Sequence, residues 1–95
     1  MDLKILIFSL NGCGYCQQLK SKLNDNSIPY QDIEITKNKP IWDQVVSQTG
    51  QNFLPTIFIQ KDNEGNGSVF TPEKDFKSIE DAVELIKEQL VNKEE

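Results

Sequence analysis

Lys4-Ile5-Leu6-Ile7-Phe8-Ser9 followed by Cys13-Gly14-Tyr15-Cys16 and Gln17-Gln18-Leu19-Lys20-Ser21-Lys22-Leu23 is the stretch on which the reading of this chain turns. The first six residues are an apolar run of strand length, and from Cys16 onward the residues take up helical spacing. The only two cysteines of the chain therefore sit at a strand-to-helix junction. The opening turn of a helix has backbone N–H groups without partners and carries the positive end of the helix dipole. A thiol placed there is stabilised as a thiolate. Two intervening residues leave the sulfurs close enough to bond without backbone rearrangement, with Cys16 one helical turn behind Cys13. These are the requirements of thiol–disulfide exchange.

Working outward, Asn24-Asp25-Asn26-Ser27 marks a loop after a helix over about 14–25. Pro29 leads into Tyr30-Gln31-Asp32-Ile33-Glu34-Ile35, whose alternation predicts a second strand with one wet face. Thr36-Lys37-Asn38-Lys39-Pro40 reads as a turn with Asn38 or Lys39 near a helix cap and Pro40 in the first turn. Ile41, Trp42, Val45 and Val46 give that helix an apolar face, and it ends before Gly50. Thr56-Ile57-Phe58-Ile59 predicts a third strand and Ser68-Val69-Phe70 a short fourth, joined by turn residues Asp62 to Gly67. A last helix is predicted from Ser78, with Asp81 three residues on in a pattern close to a capping box. Ile79, Ala82, Val83, Leu85, Ile86 and Leu90 form its apolar face, and Asn92-Lys93-Glu94-Glu95 should fray. The order is β-α-β-α-β-β-α, an α/β arrangement in which helices cover a mixed sheet.

Ninety-five residues support one compact domain, here expected over 1–95, and 37% apolar residues suffice for a modest core. A net charge of −5 with no basic cluster argues against a nucleic-acid partner. No apolar run approaches the roughly 20 residues of a membrane span. The N-terminus runs straight into the first strand, which leaves no room for a signal peptide, so a cytoplasmic location is expected. In that compartment an isolated cysteine pair is more often catalytic than a structural staple. A zinc site would want a second pair of Cys or His ligands; there are no histidines and no further cysteines, so no metal site is assigned.

On these residues the chain resembles the glutaredoxins, a branch of the thioredoxin-like superfamily. Three stretches carry the resemblance: Cys13-Gly14-Tyr15-Cys16, with an aromatic at the third position; Thr49-Gly50 followed by Phe53-Leu54-Pro55-Thr56-Ile57-Phe58-Ile59; and Ile28-Pro29-Tyr30 before the second strand. The resemblance implies a thioredoxin-like, glutaredoxin-type fold with a four-stranded mixed sheet flanked by three helices. It also implies a Cys13 nucleophile that faces solvent and receives the N–H groups of Tyr15 and Cys16, its mixed disulfide being resolved by Cys16. Pro55 reads either as an ordinary proline leading into a strand or, by resemblance, as a cis-proline facing the cysteines. In the latter case the backbone of Leu54 pairs with bound substrate like an added strand. Tyr15 is either a surface aromatic or an apolar edge for substrate. Gly14 stands where dithiol members carry proline.

Three departures weaken the family's glutathione pocket. The usual Lys or Arg three residues before the first cysteine is Leu10, and the threonine two residues before the proline is Phe53. The Gly-Gly-x-Asp segment after strand four is replaced by Phe70-Thr71-Pro72-Glu73-Lys74-Asp75, where Asp75 is the one candidate for the acid. Trp42 and the Phe8/Phe58 pair read as core. Lys20 and Lys22 read as the solvated face of the first helix, although they could bias the potential at the thiols.

The function implied is a glutaredoxin-like oxidoreductase acting on protein or glutathione mixed disulfides, in electron transport and cell redox homeostasis. No tightly bound cofactor is expected. Glutathione or a thioredoxin-reductase-type enzyme is the expected reductant, ribonucleotide reductase a candidate client, and the protein is expected to be monomeric. Two alternatives belong to other classes: a glutathione-dependent [2Fe–2S] cluster carrier, as in some relatives with Gly or Ser after the first cysteine, and a non-catalytic thioredoxin-like adaptor.

Overall fold

The computed structural model describes residues 3–62 and 66–92. The first strand, β1 (Lys4–Ser9), runs into helix α1 (Gly14–Asp25) through a turn in which the Cys13 N–H donates to the Leu10 carbonyl. Strand β2 (Gln31–Glu34) follows, then a 3₁₀ turn (Ile35–Lys37) and helix α2 (Lys39–Thr49). Strands β3 (Thr56–Gln60) and β4 (Gly67–Phe70) precede the last helix, α3 (Ile79–Asn92). This is the predicted order.

The strands lie in the order β2-β1-β3-β4. β1 pairs parallel with β2, and β3 pairs antiparallel with both β1 and β4, so the sheet is mixed as expected. The parallel pair needs a crossover, and α1 supplies it. Alternation then divides the apolar residues between two faces. Ile5, Ile7, Ile57 and Ile59 meet Leu19 and Leu23 of α1 and Ile79, Ala82, Val83 and Ile86 of α3. Most of these side chains are completely buried, and each such Leu or Ile contributes about 1.5–3 kcal/mol by leaving water. On the opposite face Phe8 packs against Trp42 and Val45 of α2, with the Phe8 and Trp42 ring centroids 5.6 Å apart.

Several boundaries differ from the sequence reading for local reasons. β2 stops at Glu34 because the next three residues wind into the 3₁₀ turn, so Ile35 leaves the strand. Asn38 is the N-cap of α2, as predicted, but its side-chain amide donates back to the Glu34 carbonyl instead of capping the helix. Ile41 is 50% exposed, because a single helix covers this side of the sheet and only Trp42 and Val45 of α2 are buried. β4 begins one residue early, at Gly67; any side chain there would run into the Ile59 carbonyl of the neighbouring strand. At α3 the Ser78 hydroxyl accepts the Asp81 N–H at 3.1 Å, which is the cap the sequence indicated. Of Asn92-Lys93-Glu94-Glu95, expected to fray, Asn92 is the last residue of α3, and 93–95 lie outside the described residues, as does the centre of the β3–β4 turn.

Candidate active site

Cys13 occupies the N-cap of α1 with extended backbone geometry. Its Sγ accepts the backbone N–H of Cys16 at 3.2 Å, so the sulfur does what a Ser or Asp oxygen does at other helix starts. Of the two amides anticipated, that of Cys16 alone, among the described residues, donates to Sγ, because it is the third amide of the helix and points along the axis at the cap. Gly12, at φ +91°, makes the left-handed turn that carries the chain from strand to helix. The two cysteines are joined by a disulfide with their Cα atoms 5.3 Å apart, within the ordinary range. Cys13 is half-buried, whereas Cys16 is completely buried beneath it. Of the two sulfur-bearing residues, Cys13 is thus the one open to solvent.

The Leu54–Pro55 peptide is cis, and Pro55 opens directly into β3, beside β1. Threonine hydroxyls hold the preceding loop: Thr56 Oγ1 donates to the Phe53 carbonyl at 2.7 Å, and Thr49 Oγ1 donates to the Val45 carbonyl at 2.9 Å. Tyr15, Leu54 and Pro55 line one cavity of about 160 Å³ together with Pro72, Phe76 and Lys77. Tyr15 is 66% exposed at its rim, and Gly14 is exposed on the helix start. Phe53 is exposed too.

Asp75 takes no part in that cavity lining. Its Oδ2 accepts the Thr71 N–H at 2.8 Å, while its own N–H donates to the Thr71 carbonyl at 3.0 Å. The Glu73 N–H donates to Phe76, with Glu73 at φ +72°. Residues 71–76 thus form a loop bonded to itself, and it presents Pro72, Glu73 and Phe76 to the cavity. Glu73 and Lys77 bring opposite charges to this wall, which the sequence reading did not single out.

Lys20 departs from its expected place on the solvated face. Its side chain is only 14% exposed and its Nζ lies 3.1 Å from Asp32 Oδ2, whereas Lys22 is 43% exposed. The other Asp32 oxygen accepts the hydroxyl of Ser9, a residue almost wholly buried. The partners come from two strands, β1 and β2, so no spacing within the helix could have revealed them.

The glutaredoxin family model matches residues 5–63 of the chain. An N-acetyl-S-hydroxy-L-cysteine reductase of Bacillus subtilis is 29% identical over 63 residues, covering 66% of this chain and 68% of that protein. A putative glutaredoxin of Mycobacterium tuberculosis is 35% identical over 54 residues, covering 56% of this chain and 64% of that protein. Among solved structures, a buckwheat glutaredoxin–glutathione complex superposes with a TM-score of 0.61 at 23% identity, over 95% of this chain and 74% of that one. The holo form of glutaredoxin C1 from Populus tremula x tremuloides gives 0.58 at 20% identity, over 92% and 77%. At such identities the structural likeness establishes the fold, and that fold is thioredoxin-like.

Proposed function

The chain belongs to the glutaredoxin family, and from that premise we propose that it is a thiol–disulfide oxidoreductase whose Cys13–Cys16 dithiol reduces protein disulfides and glutathione mixed disulfides. The capping of the α1 N-terminus by Cys13 Sγ, with Cys16 in bonding range behind it, carries this reading. In the reduced protein the Cys13 thiolate attacks one sulfur of the substrate. A Cys13–substrate disulfide forms, the substrate S–S bond breaks and the first thiolate departs. Cys16 then attacks Cys13 Sγ, closes the intramolecular disulfide and expels the second thiol. Two electrons pass from the cysteines to the substrate.

Tyr15 supplies an apolar edge, and the Leu54 peptide, held beside Pro55, offers its backbone to an extended substrate segment. Glutathione or a thioredoxin-reductase-type enzyme restores the dithiol; the glutathione bound by the buckwheat relative supports the first. Leu10, Phe53 and the self-bonded 71–76 loop favour weaker glutathione recognition than a typical member has. Turnover with glutathione and its reductase, measured against turnover with thioredoxin reductase, separates the two donors. A reductase such as that of ribonucleotides is a fitting client.

The decisive test is a pair of variants. Cys13→Ser should lose all disulfide reduction, and Cys16→Ser should accumulate mixed disulfides visible by intact mass. A Cys13→Ser protein that still reduces disulfides overturns the assignment.

The Bacillus relative favours a second reading, in which the substrate is the sulfenic acid of a small cysteine derivative. The same Cys13 thiolate would attack the S–OH sulfur, with hydroxide leaving as water after protonation, and Cys16 would resolve the product. Consumption of N-acetyl-S-hydroxy-L-cysteine that disappears in Cys13→Ser tests it.

A further inference from the structure

We propose that the cavity between α2 and the sheet, on the face opposite α1, is a binding site for an uncharged small molecule with an apolar ring body and one hydrogen-bonding group. The cavity has a volume of about 380 Å³, within the roughly 300–1,000 Å³ of ligand sites. It shares no residue with the cavity of Tyr15 and Pro55, and no cysteine lines it, so it stands apart from the function proposed above.

Strand register sets its floor. Leu6 of β1 lies beside Phe58 of β3, and Phe58 beside Val69 of β4, which gives an apolar row across three neighbouring strands. Phe8 extends the floor two residues along β1, on the same face by alternation. The row is only half-buried, because α2 is the single helix on this side of the sheet. One wall comes from α2, where Ile41, Gln44, Val45 and Gln48 recur at the spacing of one helix face. Val45 packs on Phe8, and Ile41 keeps half its surface free. Asn66 and Gly67, where the chain enters β4, add a further boundary.

Two features of the lining give the chemical class of the occupant. Among the described residues it carries no ionisable side chain, in a chain of which 26% of the residues are charged. Beyond its first residue α2 has one charge, Asp43, and Lys39 binds it at 2.9 Å. A charged group set over Leu6, Phe58 and Val69 would lose water without meeting a counter-charge, so the site favours a neutral molecule. The second feature is a pair of carboxamides. Asn66 is committed to Asp62, to which it donates through its backbone N–H and its side-chain amide. The side chains of Gln44 and Gln48, one turn apart, have no hydrogen-bond partner among the described residues. A carboxamide both donates and accepts, which matches a hydroxyl, amine or amide on the ligand.

Titration of the nitrogen-15-labelled protein with 1-naphthol and with 1-naphthalenesulfonate tests the proposal, since the two share a ring system and differ in charge at neutral pH. Salt at about 0.5 M screens the net charge of the chain from the anionic probe. 1-Naphthol should bind one site with a Kd below about 1 mM. It should shift the amide signals of Leu6, Phe58, Val69 and Gln48 and leave those of Tyr15 and Phe76 in place. The sulfonate should bind at least about tenfold more weakly. Ile41→Glu, a change at an exposed position, should weaken 1-naphthol by about tenfold with the rest of the spectrum preserved. Gln44→Leu/Gln48→Leu should weaken it by about threefold to tenfold, the loss of one hydrogen bond. Shifts centred on Tyr15, equal affinity for the sulfonate, binding unchanged in either variant, or no saturable shift at all overturns the proposal. None of these outcomes touches the dithiol reading, which the Cys13→Ser and Cys16→Ser variants test separately.

Discussion

Cys13 differs from an ordinary surface thiol in one bond: the Cys16 amide that donates to its sulfur at the head of α1. Sulfur at a helix N-cap feels both the unpartnered amides and the dipole, an environment that brings C-x-x-C thiols to roughly 3.5–7.5 from about 8.5. Alkylation of the reduced protein by iodoacetamide, followed across pH, should reach half its maximal rate well below pH 8.5. A midpoint at the ordinary thiol value would leave the helix start without influence on the nucleophile. Tyr15 and Pro55 are legible beside it as residues, and their meeting in one cavity is a product of the fold.

Among the elements, the 71–76 loop lies outside the stretch that the glutaredoxin family model matches, residues 5–63. Asp75 accepts the Thr71 N–H, and its own N–H returns to the Thr71 carbonyl, so the side chain maintains the loop that walls the cavity. Asp75→Ala is expected to lower the unfolding free energy by about 1 kcal/mol in urea denaturation. KM for a glutathione mixed disulfide should stay within error. A large rise in KM with unchanged stability would make Asp75 a substrate contact instead. By contrast, α1 and α3 follow their sequence signals closely, since each begins where a cap residue meets an apolar repeat.

Across the whole molecule the two faces of the sheet are unequal. One is sealed by α1 and α3 together, while the other is covered by α2 alone and leaves Ile41 exposed. The sealed face supports the site, because Cys16 and Leu19 belong to the same buried stripe of α1. Leu19→Ala should cost about 2–5 kcal/mol in chemical denaturation, a large part of the 5–15 typical of a domain. A loss below about 1 kcal/mol would mean that the site does not depend on this packing.

Alternation, helical spacing and cap residues are local, and they determined the element order, the strand-to-helix seat of Cys13 and the end of α2 at Gly50. They operate between neighbours a few residues apart, where backbone geometry alone decides which side chains share a face. The loop bonds of Asp75, the exposure of Ile41 and the Ser9–Asp32–Lys20 tether were decided by tertiary structure. Ser9 and Asp32 are 23 residues apart and come together because parallel pairing aligns β1 with β2 beneath α1. A lysine that by helical position belongs to water is held against the sheet by a carboxylate of β2.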